Sequence, residues 1–85
     1  MENQNRNNIK IGALVDVVLK VDQRTNKLTR GHVKRILTNS INHPRGIKVM
    51  LEEHDLVGRV QYIVKWGKDG RFNKNFKKTL FRKHA

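Results

Sequence analysis

The strongest constraint on how this chain folds lies in Gly31 to Gly58, GHVKRILTNSINHPRGIKVMLEEHDLVG, where apolar and polar residues alternate on both sides of a proline-containing turn. In the first run Val33, Arg35 and Leu37 fall on one side and His32, Lys34 and Ile36 on the other. In the second run Ile47, Val49 and Leu51 oppose Lys48, Met50 and Glu52. A period of two places each set on one face of a pleated strand, whereas a helical period would scatter Val33, Leu37, Ile47 and Val49 around a cylinder. The stretch therefore predicts a β-meander whose turn, residues 39–46, is rich in turn formers and ends on Gly46, a residue able to supply a positive φ. Arg35 on the core side is a conflict: either a strand edge exposes it or the register is displaced by one.

The flanks extend the pattern. Ala13, Val15, Val17, Leu19 and Val21 form a uniformly apolar set, expected to face the core, and alternate with Leu14, Asp16, Val18 and Lys20. Val57 to Val64 reads as a fourth strand in which Val60, Tyr62 and Val64 share a face, with a bulge or sharp bend at Gly58. Four strands and a mainly all-β class follow. Between the first two strands, residues 22–30 (DQRTNKLTR) are a polar connection longer than an ordinary hairpin loop, with Arg24, Lys27 and Arg30 spaced three apart. The segment 1–8, rich in Asn and Gln, is expected to be a disordered or loosely draped arm. From Lys65 the chain reads KWGKDGRFNKNFKKTLFRKHA, with a turn at Gly67-Lys68-Asp69-Gly70. Beyond it, either a hairpin pairs residues 61–66 with 71–76, or Phe72, Phe76 and Leu80 mark a short amphipathic helix.

Composition narrows the function. The 85 residues contain no cysteine, which excludes disulfides and thiolate metal sites. The polar start lacks the apolar core of a secretory signal, and the run Ala13 to Leu19 is broken by Asp16 and is far shorter than a membrane span, so a cytoplasmic location is expected. Nineteen Lys and Arg against seven Asp and Glu give a formal charge of +12, and residues 65–85, with eight basic groups and one acidic, hold +7 of it. Such a balance is the electrostatic footprint of a nucleic-acid-binding domain. Catalytic material is sparse: His32, His43, His54 and His84 stand 11, 11 and 30 residues apart, with no HxH or HxxxH pair. The glycines match no phosphate-loop pattern, and Gly67-x-x-Gly70 lacks the flanking helices of a KH domain. A non-enzymatic protein without metal or cofactor is expected.

Binding remains. On the strands and loops, Arg24, Lys27, Arg30, Lys34, Arg45, Lys48 and Arg59 are the candidates for one basic face that attracts phosphates. Lys65, Lys68, Arg71, Lys74, Lys77 and Lys78 add charge from the tail. Trp66 and the late phenylalanines are candidates for stacking on bases or for packing the tail, and Tyr62 is assigned to the core.

The segments DQRTNKLTRGHVKRILT, HPRGIKVMLE and VGRVQYI resemble the YwbE family of small prokaryotic proteins, whose function is not established. The resemblance covers roughly residues 5–64. A looser similarity links Gly31, Val33 and Ile36, followed by Gly46, Ile47, Val49 and Leu51, to the KOW motif and to translation-type SH3-like barrels. This implies a small SH3-like barrel of about five strands over residues 9–66, between the arm 1–8 and a basic tail 67–85. It also implies RNA or the ribosome as the partner. Two other partners fit the charge: an acidic protein surface held by a basic groove, and an anionic membrane beneath the tail.

Overall fold

The computed structural model describes residues 2–67, and within them four antiparallel strands close into a barrel. They are β1 (Leu14–Leu19), β2 (Thr29–Ile36), β3 (Lys48–Leu51) and β4 (Val57–Lys65). Each strand pairs with the next, and β4 returns to pair with β1. The alternating residues supply the interior: Ala13, Val15, Val17, Val33, Ile47, Val49, Leu51, Val60 and Ile63 are inaccessible or nearly so, with Ile9 joining them. β-Branched side chains dominate this core because their restricted χ1 suits the pleated surface. The mainly all-β class and the small barrel are as the sequence implies, with four strands among the described residues.

Three irregularities change the expected register. In β2, Val33 pairs with Leu51 but Arg35 pairs with Met50, so Lys34 is an extra residue. This bulge resolves the conflict at Arg35, which is exposed, while Ile36 packs against the core in place of the expected Arg35 side. In β4, Asp16 faces Tyr62 but Val17 faces Val60, which leaves Gln61 unpaired, and a second shift near Val64 lets Lys65 face Leu14. The bulge at Gln61 inverts the parity of the strand. Val60 and Ile63 point inwards, and Tyr62, assigned to the core from the sequence, is 36% exposed. Gly58, where a bulge or bend was expected, pairs with Leu19 and Val49; a Cβ there would lie 2.8 Å from a Val17 methyl and from the Val18 carbonyl oxygen. Its smallness serves close packing, and the register shifts lie at Gln61 and Val64.

The first strand also departs from its pattern at both faces. Asp16, on the mixed face expected to meet solvent or a neighbouring segment, is buried, and Val21, expected in the core, is 84% exposed because residues Lys20–Asp22 leave the strand as a 3-10 turn.

The largest correction concerns the arm. Residues Glu2–Gln4 and Arg6–Asn8 form two 3-10 turns that run along the segment preceding β3. Asn3 accepts from the Ile47 N–H at 2.9 Å, Gln4 from the His43 N–H at 2.9 Å, and the Arg6 N–H donates to Ile41 at 2.6 Å. The Asn3 side-chain amide is buried and donates to the Val60 carbonyl at 3.0 Å, and the Gln4 amide donates to Pro44 at 2.7 Å. Composition marks these residues as solvated, but short amides also serve as partners for backbone groups that a small barrel would otherwise leave unpaired.

Two turns show the local chemistry. His54 and Asp55 both hold positive φ (56° and 54°), as a two-residue turn matched to strand twist requires between β3 and β4. Gly46 has φ 103°, and a Cβ on it would collide with the Val60 carbonyl oxygen, a backbone atom fixed in the ladder. Gly46→Ala is therefore expected to destabilise the fold by about 2–4 kcal/mol, read as a lower denaturation midpoint with unchanged slope.

Candidate nucleic-acid interface

Of the basic residues proposed from the sequence, some neutralise carboxylates, some line a groove, and others do neither. Arg30 belongs to the first group. Its Nε and Nη2 donate to the two Asp16 oxygens at 2.8 and 3.0 Å, and the Asp16 side chain is only 7% exposed. The hydrogen bond to Asp16 holds the guanidinium above its ordinary pKa, against the opposing effect of burial. A buried carboxylate needs such a partner, so Arg30 stabilises the barrel wall. Lys34 donates to Asp55 at 2.7 Å, and that bond holds the Asp55 carboxyl below its ordinary pKa. Beside this pair the His32 N–H and ring Nδ1 contact Glu53 at 2.8 and 2.7 Å. Partial desolvation pushes the Glu53 carboxyl up, but the His32 bonds outweigh it and the net shift is downward.

Arg45, Lys48 and Arg59 do converge. Two adjoining clefts, each of about 300 Å³, share Val18, Gln23 and Arg59. The first is completed by Asn26, Arg45 and Gln61, and the second by Lys20, Lys48, Val57 and Gly58. Together they form a groove with four cationic side chains and no carboxylate among the described residues of its lining.

Local structure explains why these residues meet. After β1 the chain tightens into a turn in which the Asp22 carbonyl accepts from the Thr25 and Asn26 N–H groups, at 3.2 and 2.7 Å. Asn26 takes a left-handed φ of 59°, which its short polar side chain tolerates. This turn brings Gln23 and Asn26 to the groove, while Arg24 and Lys27 are exposed and outside its lining. On the opposite wall Arg59 Nη1 donates to the Gly46 carbonyl at 3.1 Å, and the Gln61 amide donates to the Arg45 carbonyl at 3.1 Å. The loop that carries Arg45 is thus held by β4 on one side and by the arm on the other. Inside that loop His43 Nδ1 accepts from the Arg45 N–H at 3.1 Å.

Lys20, Gln23, Asn26 and Gln61 had no signal in the sequence, since two amides in a loop and one at a bulge match no motif. Lys65 lies opposite Leu14, at the end of β4 remote from Arg59, and Trp66 packs partly buried against the core. Packing therefore occupies Trp66, a candidate for stacking. Lys68, Arg71, Lys74, Lys77 and Lys78, with the hairpin and helix alternatives for the tail, lie outside the described residues. Among the described residues no three His, Asp or Glu side chains gather as a metal site, and no helix is long and apolar enough to cross a membrane.

A barrel of this register with a basic groove at one end defines a small β-barrel protein, and comparison with known sequences gives its kinship. Residues 2–63 match the family described as "Uncharacterized conserved protein (DUF2196)". The chain is 59% identical over 64 residues to "Uncharacterized protein YwbE" of Bacillus subtilis (strain 168), a match that spans 75% of this chain and 97% of that protein. The chain belongs to this YwbE-type family of uncharacterized proteins. No solved structure gives a significant match.

The electrostatics of the groove can be read at His43. Desolvation, then the charges of Arg59 and Arg45, pull its pKa below the ordinary histidine value. Because cations disfavour the imidazolium, Arg59→Gln is expected to raise the His43 midpoint, as is an anion bound in the groove. NMR titration of the ring carbons measures both.

Proposed function

We propose that this protein binds RNA by taking the phosphate backbone into the groove between the first loop and the β3–β4 wall. The observation that carries this reading is the convergence of Lys20, Arg45, Lys48 and Arg59 on a groove with no carboxylate among its described lining residues. Guanidinium groups suit phosphate oxygens, and neutralising phosphates releases counterions. Each cleft is at the lower end of the size range of small-ligand sites, which fits one nucleotide unit at a time. RNA is preferred to DNA by analogy with the translation-type barrels that the KOW-like spacing resembles. The tail, beyond the family match, adds positive charge and with it sequence-independent affinity. No reaction is assigned to the protein.

Binding of a fluorescent RNA hairpin across a salt series tests this. Arg45→Gln and Arg59→Gln are each expected to weaken binding and to reduce the slope of log affinity against log salt by about 0.7–0.9. Arg24→Gln and Lys27→Gln, outside the groove lining, are expected to cost less. Arg30→Gln is expected to lower stability, because it leaves Asp16 buried without its partner. Unchanged affinity for the Arg45 and Arg59 variants contradicts the reading.

A further inference from the structure

The bulge at Gln61 does more than close the barrel. With Val60 and Ile63 both turned into the core, the three intervening or preceding outward residues, Arg59, Gln61 and Tyr62, lie along one stretch of the outer surface of β4. Arg59 and Gln61 line the groove. Tyr62 stands opposite Asp16, and Arg59 opposite Val18, the apolar floor shared by both clefts. Tyr62 is therefore one pair of outward positions along the same face from the groove. Tyr62 is 36% exposed, whereas Trp66, the other described aromatic residue, packs against the core.

The neighbourhood suits a nucleobase. Asp16, across the strand pair from Tyr62, is neutralised by Arg30 through two hydrogen bonds, so the row Arg30, Asp16, Tyr62 presents no unbalanced negative charge to an approaching nucleotide. Asp16 and Val18 are 5% and 7% exposed, so the surface beside Tyr62 is closed. An exposed aromatic next to a cationic groove is the combination by which proteins hold unpaired nucleic acid, the base on the ring and the phosphate on the cation.

We propose that Tyr62 is a stacking platform for an unpaired base whose phosphate rests on Arg59, so that the groove takes single-stranded or looped RNA in preference to continuous duplex. This rests on the RNA-binding reading above and adds the class of RNA to it.

The test uses the full chain with three fluorescent RNAs: a single strand, a blunt duplex and the same single strand carrying one abasic site at varied positions. Wild-type protein is expected to bind the single strand most tightly. Tyr62→Ala is expected to weaken single-strand binding about tenfold and to leave duplex binding within about twofold, while Tyr62→Phe retains wild-type behaviour. An abasic site at the stacked position is expected to weaken the wild type and to have no further effect on Tyr62→Ala. In a second measurement, wild-type Tyr62 ring protons move upfield on adding the single strand and not on adding duplex, which requires no variant to fold. Equal single-strand binding by Tyr62→Ala and wild type, with loss in Arg59→Gln, overturns the stacking role and leaves the groove intact. Absence of wild-type binding to all three RNAs at low salt overturns the RNA reading itself, and the stacking role with it.

Discussion

Closing a barrel with four strands among the described residues is the constraint on which the rest of this structure depends. The interior is narrow, so each wall residue must turn sharply, and the chain supplies the curvature through bulges at Lys34, Gln61 and Val64. β4 carries most of the burden, since it pairs with β3 over its first residues and with β1 from Gly58 to Lys65 across two register shifts. The bulges shift side chains between faces. Arg35 leaves the core, Ile36 turns towards it, and Arg59, Gln61 and Tyr62 are gathered outside. The geometry that closes the wall is thus the geometry that builds the groove.

Closure also creates a demand for hydrogen-bond partners. β3 has only four residues, and the chain before it, residues 41–47, would leave its backbone groups unpaired. Asn3, Gln4 and Arg6 meet that demand from one side, and the Val60 N–H donates to Ile47 from the other. Gly46 fits between them because it has no side chain to strike Val60. The backbone of Arg45, on the loop so held, is fixed by the fold itself through its N–H and carbonyl. Fold and site share these contacts.

Much of this was legible in the sequence wherever periodicity was unbroken. Val15 and Val17, Val33, and Ile47, Val49 and Leu51 could be placed inside from alternation alone, and the segments from Asp22 to Gln61 sufficed to indicate the family. What was not legible has a common cause. A bulge is a change of phase by one residue, and Lys34 and Gln61 carry no composition that announces it; the error at Tyr62 follows directly. The order of the arm is not legible because an Asn- and Gln-rich composition indicates solvation, although Asn3 is a buried donor. The groove assembles Lys20, Gln23, Arg45 and Arg59 from three separated segments, and only the closed barrel brings them together. Arg30 and Lys34 looked equivalent to Arg45 in the sequence, but their carboxylate partners, Asp16 and Asp55, are 14 and 21 residues away.

The measurement that bears most directly on the groove is a residue-by-residue NMR titration of the labelled full chain with a short RNA hairpin at low and moderate salt. Shifts concentrated at residues 18–26, 43–48 and 57–62, and weakened by salt, are the expected result. Shifts confined to the tail, or none at low salt, contradict the account.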